Sequence, residues 1–155
     1  MANVSVVRVT KRTRTSKDES DEETVADLSA GCPCGTGSSY AACCRPLHLG
    51  ERDAVTAEEV MRARYSAHVV DDLDYLRRSW HPDTCPAIIA ASDESERWLG
   101  LDIRSTERGG AFDGEGFVEF VATFQAGVQR RALHERSRFV RVSGRWVYID
   151  GVLEF

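Results

Sequence analysis

Absent from this 155-residue sequence is any apolar run approaching the roughly 20 residues that a membrane-spanning helix requires. Its opening stretch, MANVSVVRVTKRTRTSKDES, lacks the apolar centre and the small-residue cleavage site of a secretory signal. The expectation is a cytoplasmic protein with no membrane span. An excess of positive charge is missing as well. The formal net charge is −5, which argues against indiscriminate attraction to nucleic acid. No internal repeat is visible, and no Cys-x-x-Cys unit, the simplest signature of thiol redox catalysis. A reducing compartment disfavours structural disulfides, so the cysteines call for another explanation.

Four of the five cysteines fall within CPCGTGSSYAACC, residues 32–44. A tetrahedral zinc ion bound by four thiolates at about 2.3 Å fits this crowding. Cys32 and Cys34 offer one pair on a turn restricted by Pro33. Gly35 and Gly37 let the backbone fold back tightly. Tyr40-Ala41-Ala42 reads as one helical turn presenting Cys43 and Cys44 as the second pair. Four protein ligands leave no position for water or substrate, so the expected Zn2+ is structural. A disulfide is the weaker alternative, because a bond between neighbours is strained and the cross-pairs would staple little chain. His48 is a spare ligand. Cys85 has no partner near it in sequence and reads as a half-buried thiol.

Around this cluster the chain divides into three. Residues 1–29 carry a basic run (Arg8, Lys11, Arg12, Arg14, Lys17) and then an acidic one (Asp18 to Glu23), with few large apolar residues after Val9. Such a segment is expected to be a disordered tail, with a nucleic-acid arm as the alternative. Residues 30–48 hold the cysteines. From residue 52 onward, Thr56-Ala57-Glu58-Glu59 is a capping box opening a helix to about Val70, with Val60, Ala63, Ala67 and Val70 on one stripe and Met61 and Tyr65 beside it. Asp71 or Asp72 caps a second, shorter helix that ends by His81-Pro82. PAIIAASDESER reads as a short helix and a loop. Then WLGLDIRSTE, GFVEFVATFQ, ALHERSRFVRV and RWVYID read as strands, the last two joined by a tight turn at Ser143-Gly144. Helices followed by an antiparallel meander predict an α+β fold with helices on one face of a curved sheet.

Here residues and resemblance meet. CPCGTGSSYAACC resembles the SEC-C motif, the zinc module at the tail of bacterial preprotein translocase ATPases. Thr36 stands for the usual serine there, and Ser38-Ser39 for the usual lysines. RPLHLGE, MRARYSAHVVDDLDYLRRSWHP, WLGLDI and LHERSRFVRVSGRWVYIDG resemble, in order, segments of the YchJ family. The resemblance implies zinc ligation by Cys32, Cys34, Cys43 and Cys44. It also implies a cone-shaped, nuclear transport factor 2-like (cystatin-like) domain over residues 52–155. It implies no particular activity.

Such a cone encloses a cavity between helices and sheet. A two-residue loop at Ser143-Gly144 puts Glu135, Ser137, Phe139, Trp146, Tyr148 and Asp150 on one face of the final hairpin, and Arg136, Arg138, Val140, Val147 and Ile149 on the other. Tyr65, Glu135, Ser137, Tyr148 and Asp150 are the candidate cavity residues. Two carboxylates side by side, Glu135 and Asp150, would form an acid–base pair. His68, His81 and His134 read as boundary, helix-end and arginine-face residues.

Two functional readings follow. The favoured one is a zinc-stabilised accessory or adaptor module contacting a protein, with a ribosome or RNA contact through Arg130, Arg131, Arg136, Arg138, Arg141 and Arg145 as a variant, and self-association through the outer face of the sheet as a further expectation. The other is a small enzyme or ligand binder using Glu135 and Asp150.

Overall fold

The computed structural model describes residues 31–155, so the expected tail over 1–29 lies outside the described residues. A 3-10 turn, Tyr40–Ala42, and a short helix α1, Arg45–His48, follow the first cysteine pair. Helices α2, Ala57–Val69, and α3, Leu73–Arg78, precede four strands: β1 Glu96–Arg108, β2 Glu115–Ala126, β3 Gln129–Val142 and β4 Arg145–Leu153. The strands form one antiparallel sheet in the order β1-β2-β3-β4. This is the α+β arrangement expected from the sequence.

Local chemistry explains most boundaries. The Thr56 hydroxyl accepts from the Glu59 amide at 3.2 Å, and the Glu59 carboxylate reaches back to the Val55 amide at 2.6 Å, so the capping box closes around the start of α2. Asp72 caps α3 by accepting from the Tyr75 amide at 2.9 Å. Ser143 and Gly144 both adopt positive φ, 52° and 79°, the left-handed pair that matches the twist of a two-residue hairpin. Two expectations change. Val70 lies beyond the end of α2 and is exposed. The segment at 86–95 contains no helix: Pro86 supplies no amide, Ile88 is largely in solvent and only Ile89 packs against the core, so no apolar helical face forms.

Helix α2 is buried on two sides. Its small residues Ala63 and Ala67 join Cys32, Cys34, Tyr40, Cys44, Leu47, Tyr75 and Leu76 in one apolar cluster. Its larger residues Val60, Met61 and Tyr65 join Val118, Phe120, Phe139 and Trp146 in a second cluster on the sheet. The order is cysteine knob, helices, sheet. Small side chains on one face let the knob approach closely, and large ones on the other fill the concavity of the sheet.

Candidate functional site: a four-cysteine knob beside an aromatic cavity

The backbone of 31–44 folds back on itself. Cys32 N–H donates to Ser38 O at 2.7 Å, and Gly35 N–H to Cys32 O at 3.0 Å. Gly35 and Gly37 sit at φ of 83° and 87°, which favours glycine at both positions. The result gathers the Sγ atoms of Cys32, Cys34, Cys43 and Cys44 within 4.8 Å of one another. Cys34 and Cys43 are 3.6 Å apart, and Cys43 and Cys44 3.9 Å apart. A regular tetrahedron with bonds of about 2.3 Å has edges of about 3.8 Å, so these two separations are those that a four-sulfur zinc site requires. All five cysteines are unbridged. The four thiols are unequal among themselves. Hydrogen bonds from Cys32 and Cys44 hold the Cys34 thiol far below the ordinary range, while Cys44, bonded to Cys32 and Cys34, is pushed far above it. Burial raises Cys43.

The knob is clamped to α2 by polar contacts that composition alone does not reveal. Arg62 Nη1 donates to Cys34 O at 2.7 Å, and the Ser66 hydroxyl lies 3.6 Å from Cys32 Sγ. His48 is buried and is no member of the sulfur cluster. Its Nε2 lies 2.7 Å from Ala63 O, which can only accept, so Nε2 carries the hydrogen. Nδ1 then accepts from the Tyr40 hydroxyl at 2.6 Å. Burial holds His48 below its usual pKa, and burial also raises Tyr40 to about 12, so both stay neutral and keep this bridge at neutral pH.

On the far side of α2 lies a cavity of about 190 Å³, lined by Tyr65, Glu135, Ser137 and Tyr148 as expected, together with Arg64, His68, Trp80 and Trp98. Asp150 is not there. Phe139 pairs with Tyr148, but Arg138 pairs with Asp150, so Ile149 is an extra residue and β4 bulges. The bulge reverses the alternation of faces beyond it. Asp150 therefore joins the arginine face, where Arg138 grips it through Nε at 2.9 Å and Nη2 at 2.6 Å, holding its carboxyl below the usual range. The paired-carboxylate acid–base site is overturned by this register. Glu135 remains inside and accepts at Oε1 from Ser137 at 2.8 Å and Tyr148 at 3.1 Å.

Sequence reasoning missed Arg64, Trp80 and Trp98. The available signal was Arg64 itself, one helical turn after Val60 in an otherwise apolar stripe. His134 lies on the arginine face as expected, 2.7 Å from Glu119. His81 lies beyond the end of α3, which Ser79 caps; its amide donates to Tyr148 O at 2.7 Å and its Nδ1 accepts from the Asp83 amide at 3.1 Å. Cys85 is half-buried and apart from the quartet.

His68 supports a pH prediction. Burial, and secondarily the Arg64 charge, lowers its pKa from 6.5 to about 4. Below pH 6.5 the unfolded chain binds a proton that the folded chain refuses, so stability falls from there towards pH 4 and is unaffected by this residue above 6.5. About 1–2 kcal/mol is expected to disappear between pH 7 and pH 5. Urea unfolding at the two pH values checks it: His68→Gln is expected to remove that part of the difference, and an unchanged difference contradicts the assignment.

A four-cysteine cluster packed on the helical face of an α+β domain defines the class: an N-terminal cysteine cluster joined to a nuclear transport factor 2-like domain. The comparisons with known proteins agree. The family described as "YchJ, middle NTF2-like domain" matches residues 56–151. A UPF0225 protein from Ralstonia nicotianae is 46% identical over 136 residues, covering 80% of this chain and 92% of its own. One from Deinococcus radiodurans is 50% identical over 120 residues, covering 77% and 86%. The solution structure of a SEC-C motif containing protein from Rhodopseudomonas palustris superimposes with a TM-score of 0.69 at 32% identity, covering 80% of this chain and 98% of that one. This chain belongs to the YchJ family.

Proposed function

We propose that this protein is a structural-zinc accessory module whose knob is a docking surface for a protein partner. The observation that carries the zinc is the close quartet of cysteine sulfurs. Cys32, Cys34, Cys43 and Cys44 would hold the ion as thiolates, and zinc so enclosed supplies folding energy and performs no reaction.

A protein partner is favoured over RNA by the outer face of the sheet. Arg136 pairs with Glu107 at 2.6 Å, Arg138 with Asp150 and Glu115 at 2.6 and 3.5 Å, and Arg108 with Glu115 at 3.8 Å. Arg141 lies against Trp146 on the other face and donates to the Asp113, Ala111 and Gly144 carbonyls. Carboxylate pairing of Arg136, Arg138 and Arg108 reduces what the middle of the outer face offers to phosphate, while Arg130 and Arg145 keep no ion pair among the described residues. Beside the knob, in contrast, Leu49 is 56% exposed at the end of α1. Among the described residues no helix is long and apolar enough to cross a membrane.

Elemental analysis of purified protein is expected to return one zinc per chain. Capture from native lysate, with and without ribonuclease, is then run with wild type beside Leu49→Arg, which leaves the metal in place. The reading expects a protein that Leu49→Arg loses and ribonuclease does not. Capture that vanishes with ribonuclease, or that is the same for both variants, overturns the docking role; absent zinc overturns the whole reading.

A further inference from the structure

The cavity behind α2 carries two opposite charges that do not neutralise each other directly. Arg64 is buried at 6% exposure, and no carboxylate among the described residues forms an ion pair with it. Its guanidinium carbon lies 4.7 Å from the ring centres of both Trp80 and Tyr148. Nη1 donates to Leu76 O at 2.9 Å and to Ser79 Oγ at 2.8 Å, while Nε and Nη2 have no partner among the described residues. Burial lowers its pKa only to about 10, so it stays charged at neutral pH.

Glu135 meets the same phenol at its hydroxyl. Tyr148 presents its face to Arg64 and its hydroxyl to Glu135 Oε1. Oε1 takes both the Ser137 and Tyr148 hydrogens, and Oε2 accepts from no described residue. β4 makes room for this carboxylate with a glycine: a Cβ on Gly151 would collide with Glu135 Oε1. Two indole N–H groups in the same lining, Trp80 and Trp98, are buried without a partner among the described residues. Unused donors beside an unused acceptor, in an aromatic chamber, are what a binding site for a small polar ring leaves when written in side chains.

The volume sets the size. A cavity of about 150 Å³ holds benzene; this one, at about 190 Å³, has room for one six-membered ring and a short substituent. The charges set the substituent. A carboxylate would satisfy Arg64 and face Glu135 with like charge, and an amine would do the reverse. A carboxamide offers an acceptor and a donor on one carbon. We propose that this cavity binds a small, uncharged planar ring of the carboxamide or lactam class, its carbonyl accepting from Arg64 and its N–H donating to Glu135.

The test titrates full-length protein with benzamide, benzoate and benzylamine, following the tryptophan indole and backbone amide signals by heteronuclear NMR. Benzamide is expected to bind with a dissociation constant on the order of 0.1–1 mM. It should move the Trp80 and Trp98 indole signals, with the two charged probes roughly tenfold weaker. Glu135→Gln removes the like charge, so benzoate should gain roughly tenfold on benzamide. Gly151→Ala, which displaces Glu135 without altering it, should weaken benzamide to a similar extent. Folding of each variant is read from the same spectra. Absence of shifts at about 10 mM benzamide, shifts only outside the cavity, or a ranking unchanged by Glu135→Gln each overturn the proposal. Zinc is read by elemental analysis and the ligand by cavity signals on the same zinc-bearing sample, so failure of this proposal and failure of the zinc knob are distinguishable.

Discussion

Replacing Cys34 with serine is expected to take the zinc content from one per chain to near zero and to unfold residues 31–48 while the sheet survives. Cys34 is the most enclosed of the four, with no exposed surface, and its carbonyl is the anchor that Arg62 holds at 2.7 Å. A serine oxygen is a poor substitute for a thiolate, and three sulfurs leave an open, hydrated position. Apart from the metal, the loop is ordered chiefly by its contacts with α2 through Arg62, Ser66 and His48. Its backbone hydrogen bonds are few, and its apolar groups are chiefly the cysteines with Tyr40 and Leu47. Structural zinc in small peptides contributes roughly 10–16 kcal/mol of apparent binding energy, which is their folding energy. Loss of the knob then uncovers Ala63 and Ala67 on α2, so the remaining domain should melt earlier as well. Hydrogen exchange resolves the two effects. Protection should vanish over the knob, fall in α2 and persist in β2 and β3, the central strands of the sheet. Retention of zinc and of protection at residues 31–48 in Cys34→Ser would show that the knob is held by packing and not by metal.

The knob was legible because its chemistry is local. Four cysteines separated by glycines and one helical turn determine their own meeting point within thirteen positions, and no distant strand has to be placed first. The helices and strands were legible for a similar reason: the capping box at Thr56 and the turn at Ser143-Gly144 act over a few residues. The cavity was not. Assigning Glu135, Ser137 and Tyr148 to one face needed only a correct hairpin register. Asp150 needed knowledge of a bulge at Ile149, whose cause is the pairing of two strands. Arg64 and Trp98 come together only once α2 is laid across β1, a tertiary arrangement that no periodicity encodes. His48 shows the same limit. The sequence offers it as a spare ligand, whereas Ala63 O and the Tyr40 hydroxyl give it a bridging role across to α2.

A second large effect is expected where α2 meets the sheet. Gly116→Ala should destabilise the domain by about 3 kcal/mol, lowering the melting temperature by roughly 10 °C. Gly116 lies in β2, paired with Arg108 on β1 and Phe139 on β3, so its backbone is held on both sides. A Cβ there would collide with the Gly109 Cα and come to 2.6 Å from the Gly109 nitrogen. Gly109 cannot retreat. Its φ is 78°, its N–H donates to Glu115 O at 3.2 Å, and its carbonyl accepts from the Ala57 amide at 2.9 Å, one of the free donors at the start of α2. Moving Gly109 therefore strains a turn, breaks a helix-end hydrogen bond and lifts Ala57 off the sheet together. Glycine is required at 116 by a close approach and at 109 by both approach and backbone angle. Gly100 is the control: nothing lies within 4 Å of an added Cβ and its φ lies outside the left-handed region, so Gly100→Ala should stay within about 0.5 kcal/mol of wild type. Thermal melts of the two alanine variants side by side decide the matter. If Gly116→Ala melts within a degree or so of Gly100→Ala, the contact between Gly109 and Gly116 is not what fixes α2 on the sheet.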